Sequence, residues 1–289
     1  MEASAPTDLK IYHVKSYPTI SPRQPSLSTK GKTIIIAGVS HDHVGLAIAR
    51  SFAESGAMNI ALMGESESIL TSSTSDIRAN YSATSIEYYV TDVRSTESVG
   101  VTAHHIRASL GAWDVFVQAV AHSPVATTLV GADTDDWWEC FEQNVRSTQH
   151  FAKHFLPKKR PNATYISLVS RSQRQPVVEM AGSSAFAASQ SAVLKVNHFL
   201  AAEHPDLRVF SVDSGRDWAR QSPQKGVMVS EGSSAAGPDQ LSKLCGDFCV
   251  WLTSPEQDFL RGRFLWCNWD ASELAAMKAA IGADLSLLS

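Results

Sequence analysis

Short apolar strands alternate with helix-length segments along most of the chain, and this alternation limits the possible folds more than any other feature. Thr33–Ala37 is a β-branched run of strand length, followed by a turn between Gly38 and Gly45 and then by apolar residues at helical spacing. Further strand-length runs lie at Asn59–Met63, Ile86–Val90, Trp113–Val117, Ala163–Val169, Leu207–Val212 and Phe264–Trp266. Because parallel strands require crossover connections, the pattern predicts one α/β domain with a doubly wound, seven-stranded parallel sheet and helices on both faces.

The regions outside this pattern suggest how the chain is organised. Residues 1–31 contain four prolines and little periodicity, so we expect an irregular arm in front of a domain spanning residues 32–289. Residues 213–240 are rich in Ser, Gly and Pro, which is typical of a long surface loop or a lid.

The composition excludes several classes of protein. Hydrophobic residues make up 44% of the chain and charged residues 19%, as in globular proteins, and no apolar run is long enough to span a membrane. A net charge of −4 argues against a nucleic-acid partner. The first residues lack the apolar run of a secretory signal, so we expect a cytoplasmic protein. Four cysteines are too few for a disulfide scaffold, and buried thiols are expected.

An ordered set of landmarks runs from about residue 30 to about residue 270. It comprises the glycine-containing turn after the first strand, Gly56-Ala57, Asp92-Val93, Trp113–Val117, Asn144-Val145, Ser170, Ala185–Val193 and Leu207–Gly215. Together these landmarks resemble the short-chain dehydrogenase/reductase family, and the segment Trp251–Trp269 is similar to a branch common in fungal secondary metabolism. The resemblance implies a Rossmann-like fold.

In that family, as the resemblance implies, a tyrosine exchanges a proton with the substrate oxygen and a lysine lowers the pKa of that tyrosine. Phe186 and Gln190 stand at the matching positions here, and neither side chain can do this acid–base work. A shifted alignment is the alternative, but Tyr165 is the only tyrosine beyond position 89 and it lies inside a predicted strand.

Two other catalytic positions of the family are retained. Ser170 matches the serine that orients the substrate carbonyl, with Ser172 as a second candidate, and Asn144 matches the asparagine that anchors a water relay. Each has a structural alternative, because Asn can bridge within a kinked helix and Ser at a strand end often satisfies backbone groups.

The nucleotide-binding positions depart from the family pattern. Gly38 and Gly45 survive, but His41-Asp42-His43 lies between them, and a carboxylate there would repel a pyrophosphate. The family's Asn-Asn-Ala-Gly is Gln118-Ala-Val-Ala121 here, and its threonine after the sixth strand is Ala219. The sequence therefore predicts a weak or vestigial cofactor site, formed by Gly38, Ser40, His41, Gly45, Glu65, Asp92 and Val93. If a dinucleotide binds, Glu65 favours NAD(H) over NADP(H).

Several polar and aromatic residues are predicted to line the rim where the strands end. His122 follows the fourth strand, and the other members follow the fifth and sixth strands: Arg171, Asp213, Arg216 and Trp218. Such a rim could bind and polarise a small organic substrate. His41 and His43 could form a metal pair, but no third ligand is identified, so no metal site is expected.

Three functions remain open at this point. The first is a non-redox enzyme on this fold, such as a cyclase, pericyclase of the Diels–Alder type, isomerase or dehydratase, working without a cofactor. The second is an NAD(P)H-dependent reductase of an iminium or similar electrophile, because hydride addition to C=N⁺ leaves no oxyanion to protonate. The third is a catalytically inactive scaffold. By analogy with the family, helices near 133–156 and 186–203 would pair the chain into a dimer or tetramer.

Overall fold

A computed structural model describes residues 9–41, 44–170, 175–215, 228–229, 237–284 and 288. Its main sheet contains seven strands, which we number in chain order. They are β1 (Thr33–Ala37), β2 (Asn59–Gly64), β3 (Ser85–Val90), β4 (Trp113–Gln118), β5 (Lys159–Leu168), β6 (Arg208–Asp213) and β7 (Phe264–Trp266).

The strands lie in the order β3-β2-β1-β4-β5-β6-β7, and every neighbouring pair is parallel. The order reverses between β1 and β4, where Ile36 of β1 lies between Leu62 of β2 and Val117 of β4. The doubly wound parallel sheet predicted from the alternation of strands and helices is confirmed. Ligands of such sheets bind outside the carboxyl ends of the strands, at the point of reversal.

Nine α-helices are described in the ranges above, and they cover both faces of the sheet. Their bounds are α1 (Val44–Glu54), α2 (Glu67–Asn80), α3 (Thr96–Leu110), α4 (Thr134–Phe141), α5 (Ser147–Phe155), α6 (Ser184–Glu203), α7 (Pro238–Leu252), α8 (Ala271–Ala276) and α9 (Lys278–Ala283). A π-helical segment, Glu142–Arg146, joins α4 to α5. The helix expected near 133–156 is therefore divided into α4, the π-helical segment and α5. The helix expected at 186–203 starts two residues earlier, at Ser184.

The core has two parts because strand side chains alternate between the faces of the sheet. Ile34 and Ile36 pack with α1 and α7 on one face, whereas Ile35 packs with α3 and α5 on the other. All three isoleucines are fully buried. A central strand that is buried on both faces explains the uninterrupted apolar run in β1.

The described part of the N-terminal arm packs along the C-terminal part of the chain. Ile11–Tyr12 forms a parallel ladder with Met228–Val229, and Tyr12 also bridges to Trp269. His13 Nε2 lies 2.9 Å from Asp270 Oδ2. Two further helical turns follow, at Pro18–Ile20 and Pro25–Leu27. The division of the chain at residue 31, and a lid within 213–240, remain predictions.

All four cysteines of the sequence are buried and free, as expected. Cys245 and Cys249 lie on α7, and Cys267 follows β7. Burial and the neighbouring thiol of Cys245 raise the pKa of both Cys249 and Cys267 well above the usual value of a thiol. These thiols therefore pack as small apolar groups. Within the described residues, no helix combines the length and the hydrophobicity needed to cross a membrane.

Candidate functional site

Gln190 is a structural link between α6 and the end of β5. Its side chain is 2% exposed, and its Oε1 accepts a hydrogen bond of 2.8 Å from the backbone N–H of Ser170. A buried N–H without a partner costs free energy, and the amide oxygen removes that cost. The side chain expected to replace the family's lysine is thus neutral and its oxygen is already bonded.

Asn144 ties the π-helical segment to the loop after β4. Its Oδ1 accepts from His122 N at 2.7 Å, and its Nδ2 donates to His122 O at 2.9 Å. The same Nδ2 lies 2.9 Å from Ser189 Oγ on α6. The amide is fully buried and bonded on both sides. The backbone of His122 is therefore held by Asn144, which joins three parts of the site.

The link from Asn144 continues to the backbone of Phe186. Ser189 Oγ donates to Phe186 O at 2.9 Å and also lies 3.4 Å from Cys140 Sγ. Burial raises the pKa of the Cys140 thiol, and the hydrogen bond with Ser189 lowers it by less. Cys140 is thus a neutral thiol that donates to His122 O at 3.2 Å.

A second chain of buried polar groups runs underneath these residues. The hydroxyl of Tyr165 donates to Gln118 Oε1 at 2.5 Å, and Gln118 Nε2 donates to Thr148 Oγ1 at 2.7 Å. Thr148 Oγ1 in turn donates to Asn144 O at 3.0 Å. Burial raises the pKa of Tyr165, whose side chain lies inside β5. This tyrosine belongs to the core and does not face the rim of the sheet.

Phe186 lines a cavity of about 270 Å³, which we call the substrate cavity. Trp137 of α4 forms another wall, and its Nε1 donates to Ser184 Oγ at 3.1 Å, which fixes the indole ring. The ring also stacks on Phe141, with 4.9 Å between the centroids. The remaining lining residues are Ser123, Pro124, Val125, Thr127, Gly131, Ala132, Asp133, Asp136, Gly182, Ser183 and Ala185.

A second cavity, of about 200 Å³, lies beside the turn after β1 and is called the nucleotide-side cavity. Five residues predicted for cofactor contact line it, namely Gly38, Ser40, His41, Glu65 and Val93. Its other lining residues are Val39, Gly64, Ser66, Ile69, Ala119, Val120, Ala121 and Gln143. This cavity lies at the carboxyl end of β1, beside the point where the strand order reverses.

The glycines of this turn are explained by contacts within the protein. A Cβ on Gly38, whose φ is +100°, would lie 2.5 Å from the backbone of Ala119. A Cβ on Gly45 would lie 3.1 Å from Val39 Cα. The N–H groups of Gly38 and Val39 both donate to Met63 O, at 2.9 and 3.0 Å. These two donors are directed at the neighbouring strand.

Asp92, one of the residues predicted for cofactor contact, is bonded to a neighbouring arginine. Its Oδ1 accepts from Arg94 N at 2.9 Å and from Arg94 Nε at 3.1 Å. Burial raises the pKa of Asp92, but the bonds from Arg94 lower it by more, so it lies below its usual value. Arg94 Nη1 also bonds Glu139 Oε1 at 2.8 Å, which connects this loop to α4.

The remaining rim residues lie in different places. Asp213 ends β6, is 5% exposed, and accepts from Gly215 N at 2.8 Å. Arg171, Ser172, Arg216 and Trp218 lie outside the described residues, as do Asp42 and His43. Among the residues that the structure describes, no group of three or more His, Cys, Asp or Glu side chains is placed to hold a metal ion.

The sequence did not single out Trp137, Ser184, Ser189 or Arg94. Trp137 and Ser184 are 47 positions apart, and Arg94 and Glu139 are 45 apart, so no local pattern joins either pair. A signal was available for Ser189, which lies within the segment Ala185–Val193 that carries the family resemblance.

Comparisons with known proteins agree with this architecture. Residues 38–268 match the family model described as enoyl-(acyl carrier protein) reductase. A short chain dehydrogenase/reductase of Claviceps purpurea is 30% identical over 287 residues, which cover 97% of this chain and 92% of that protein. A second, from Aspergillus aculeatus, is 30% identical and covers 96% of this chain and 94% of its own length.

Solved structures share the fold at lower sequence identity. A short-chain dehydrogenase/reductase from Serratia marcescens superimposes with a TM-score of 0.69 at 16% identity, covering 82% of this chain and 96% of that one. L-Sorbose reductase from Gluconobacter frateurii, solved with NADPH and L-sorbose, gives 0.67 at 19% identity, covering 83% and 96%.

Proposed function

The chain belongs to the short-chain dehydrogenase/reductase family, and we propose that it is an enzyme of secondary metabolism that performs a non-redox reaction in the substrate cavity. We take Phe186 and Gln190 to occupy the family's tyrosine and lysine positions. The observation that carries the proposal is the bond from Ser170 N to Gln190 Oε1. A buried, neutral amide whose oxygen is already bonded cannot supply the positive charge that acid–base catalysis by a tyrosine requires.

The geometry around Phe186 supports a reaction driven by confinement. The phenyl ring of Phe186 and the fixed indole of Trp137 present apolar walls, while Ser123 and Ser184 add hydroxyl groups. Holding a flexible substrate in a reactive conformation lowers the entropic part of the barrier, and oriented hydroxyls stabilise developing charge. We therefore propose a cyclase, pericyclase, isomerase or dehydratase acting on a small organic molecule, without a resident nucleotide.

A calorimetric titration with NAD⁺, NADH, NADP⁺ and NADPH tests the proposal. We expect no heat of binding at nucleotide concentrations typical of cells, because the sequence His41-Asp42-His43 puts a carboxylate in the turn that would meet the pyrophosphate. L-Sorbose reductase from Gluconobacter frateurii, which was solved with NADPH, is a suitable positive control. Micromolar binding together with consumption of a reduced nucleotide during turnover would overturn the proposal.

Restoring the two family residues gives a second test. The double variant Phe186→Tyr/Gln190→Lys regains the acid–base pair, yet we expect no nucleotide-dependent reduction of ketones, since the nucleotide-binding turn is unchanged. Phe186→Tyr alone is the matched control. Recovery of ketone reduction in the double variant only would mean that the nucleotide site is functional, and the non-redox proposal would then fail.

The nucleotide-side cavity supports a second candidate, a reductase of an iminium or similar electrophile. This cavity remains open beside Gly38 and Gly64. Glu65 at the end of β2 would favour NAD(H), because a carboxylate hydrogen-bonds the free ribose and repels a ribose phosphate. Native mass spectrometry of freshly purified protein checks for a retained nucleotide. Ala121→Trp should abolish that signal by filling the cavity, whereas Ala83→Trp, on an exposed turn, should leave it unchanged.

A further inference from the structure

Exposed aliphatic side chains are concentrated beside the substrate cavity. Of the ten large apolar side chains that are exposed in the described part of the chain, five lie on two short segments. We call these five the apolar rim: Val125 (90% exposed), Leu129 (66%), Val130 (98%), Val177 (83%) and Val178 (84%). Single exposed apolar residues are normal, but a concentration of them marks a binding surface.

The two segments of the rim are neighbours and are continuous with the substrate cavity. Thr127 N, on the first segment, donates a hydrogen bond of 2.8 Å to Gly182 O, just after the second. Val125, Thr127 and Gly182 all line the cavity itself. Val125 thus belongs both to the apolar rim and to the lining of the cavity, and the rim adjoins the cavity there.

The cavity and the rim differ in the shape of their side chains. Inside, the rings of Phe186 and Trp137 provide flat walls suited to the reacting part of a substrate. Outside, the five members of the rim are all Val or Leu. Branched aliphatic side chains bind a hydrocarbon through the apolar surface that both remove from water. They offer no polar group that would orient a ligand.

We propose that the apolar rim binds an aliphatic chain of the substrate, whose reacting end lies in the cavity against Phe186. The proposal rests on the proposed function only in taking this cavity as the reaction site. The substrate is accordingly an amphipathic molecule with a hydrocarbon tail, rather than a small polar metabolite such as a sugar. Continuity of the rim with the cavity favours this occupant over a second copy of the chain or a partner protein.

The first experiment measures binding of the neutral apolar dye Nile red by its fluorescence. Val177→Ser/Val178→Ser should weaken binding about tenfold, because two aliphatic contacts of the dye are replaced by hydroxyls. Val101→Ser is the matched control, since Val101 is 50% exposed on α3, away from the rim. Equal affinity of the double variant and the natural protein, or equal weakening by the control, would overturn the proposal.

A series of straight-chain alcohols displacing the dye tests whether the rim recognises chain length. Each added methylene should strengthen binding by about fourfold in the natural protein until the rim is covered. In Val177→Ser/Val178→Ser the increase should stop at shorter chains. If the double variant does not fold, Val130→Ser, on the other segment, replaces it, and the same early end of the chain-length increase is expected. If affinity rises by the same factor per methylene, up to the same chain length, in the natural protein and in all variants, binding at the rim is contradicted.

Light scattering on the same variants tests whether a second copy of the chain, rather than the substrate, covers the apolar rim. A change from a larger to a smaller assembly in Val177→Ser/Val178→Ser, with dye affinity unchanged, would make the rim an interface between copies and overturn the proposal. Failure of the rim is separate from failure of the proposed function. If the natural protein consumes nucleotide and binds longer alcohols more tightly, only the non-redox reaction is refuted. If the natural protein binds no nucleotide and binds alcohols of all lengths equally, only the rim is refuted.

Discussion

Two buried amides organise the centre of the site. Gln190 closes the gap between α6 and the end of β5 through Ser170, and Asn144 closes the gap between the π-helical segment and His122. In both cases a side chain satisfies backbone groups that no strand or helix partner reaches. Their removal should therefore affect stability before it affects chemistry.

Gln190→Leu should destabilise the protein by about 0.5–1.5 kcal/mol, because the hydrogen bond from Ser170 N–H to Gln190 Oε1 is lost while the volume of the side chain is nearly kept. The free energy of unfolding in urea measures the effect. Ser191→Ala is the matched control, since that hydroxyl is exposed and bonds only within its own helix. If both variants lose the same amount of stability, the link between Gln190 and Ser170 has no energetic importance.

Gly38→Ala should destabilise the fold by about 2 kcal/mol or more, since the new methyl group would lie against backbone atoms in a left-handed conformation. The distance of 2.5 Å from Ala119 requires the turn or β4 to move. Gly282→Ala is the control, because a Cβ there has open space and ordinary helical φ. Thermal unfolding measures both; a melting temperature unchanged by Gly38→Ala would refute this account of the glycine.

The sequence identified many of the relevant positions but not always what the residues do. Gly38 and Gly45 were predicted as part of a weak or vestigial cofactor site, which stays a prediction. The structure shows that a Cβ at either position would also meet the protein's own backbone, at Ala119 and Val39. The spacing of glycines reports that a backbone approaches closely, but it does not report whether that backbone is a ligand's or the protein's own. Arg94 was missed because its partner Glu139 is distant in the sequence.

At the scale of elements, Glu54 of α1 joins three parts of the fold. Its Oε1 accepts from Arg23 of the N-terminal arm at 2.6 Å, and its Oε2 accepts from Lys243 of α7 at 3.1 Å. Burial raises the pKa of this carboxyl, but the two cationic donors lower it by more, and the net pKa lies below the usual 4.5.

The stabilisation from Glu54 should depend on pH with a definite sign. Because the folded-state pKa is lowered, the contribution is complete above the unfolded-state pKa and is lost as pH falls through the folded-state value. Glu54→Gln should therefore cost about 1 kcal/mol or less at neutral pH, since Arg23 is largely exposed, and nothing in strong acid. Urea unfolding at several pH values measures this difference. A difference that grows toward acid would refute it, and Glu203→Gln, exposed at the end of α6, is the control.

The strands were predicted closely because buried parallel strands are short, continuous apolar runs. The exception is β5, which begins at Lys159 rather than Ala163. Its first residues are polar and partly exposed, and the ladder shifts register between Trp113 and Val115, so hydrophobicity carries no signal there. The π-helical segment containing Asn144 was also not predicted. A single wide turn hardly changes the spacing of apolar residues, so the sequence pattern does not reveal it.

For the molecule as a whole, the two edges of the sheet have separate roles. The carboxyl edge carries both cavities, and the amino edge is held by Arg208, which starts β6 and is 7% exposed. Its guanidinium binds the Asp258 carboxylate, the Thr164 hydroxyl and the carbonyl oxygens of Leu252, Thr253 and Ser254. One side chain thus joins β5, β6 and the end of α7.

Arg208→Met should destabilise the protein by about 1–3 kcal/mol, because it leaves the buried carbonyl oxygens that Arg208 binds without that donor. Binding of Nile red should be unchanged at temperatures where the variant is folded, since the apolar rim lies at the opposite edge. Arg160→Met is the control, because Arg160 is half exposed and forms only a surface pair with Asp114. If Arg208→Met unfolds at the same temperature as Arg160→Met, Arg208 does not stabilise the amino edge of the sheet.

The burial of all four cysteines has a practical consequence for spectroscopy. With the native sulfurs enclosed, a maleimide reagent would react with a single cysteine engineered on the surface, and no native residue would need replacement. Val125→Cys would place a fluorophore or spin label beside the substrate cavity, which Val125 lines while 90% exposed, and its signal would report the arrival of a hydrocarbon. The chain can therefore be screened for ligands before its reaction is known.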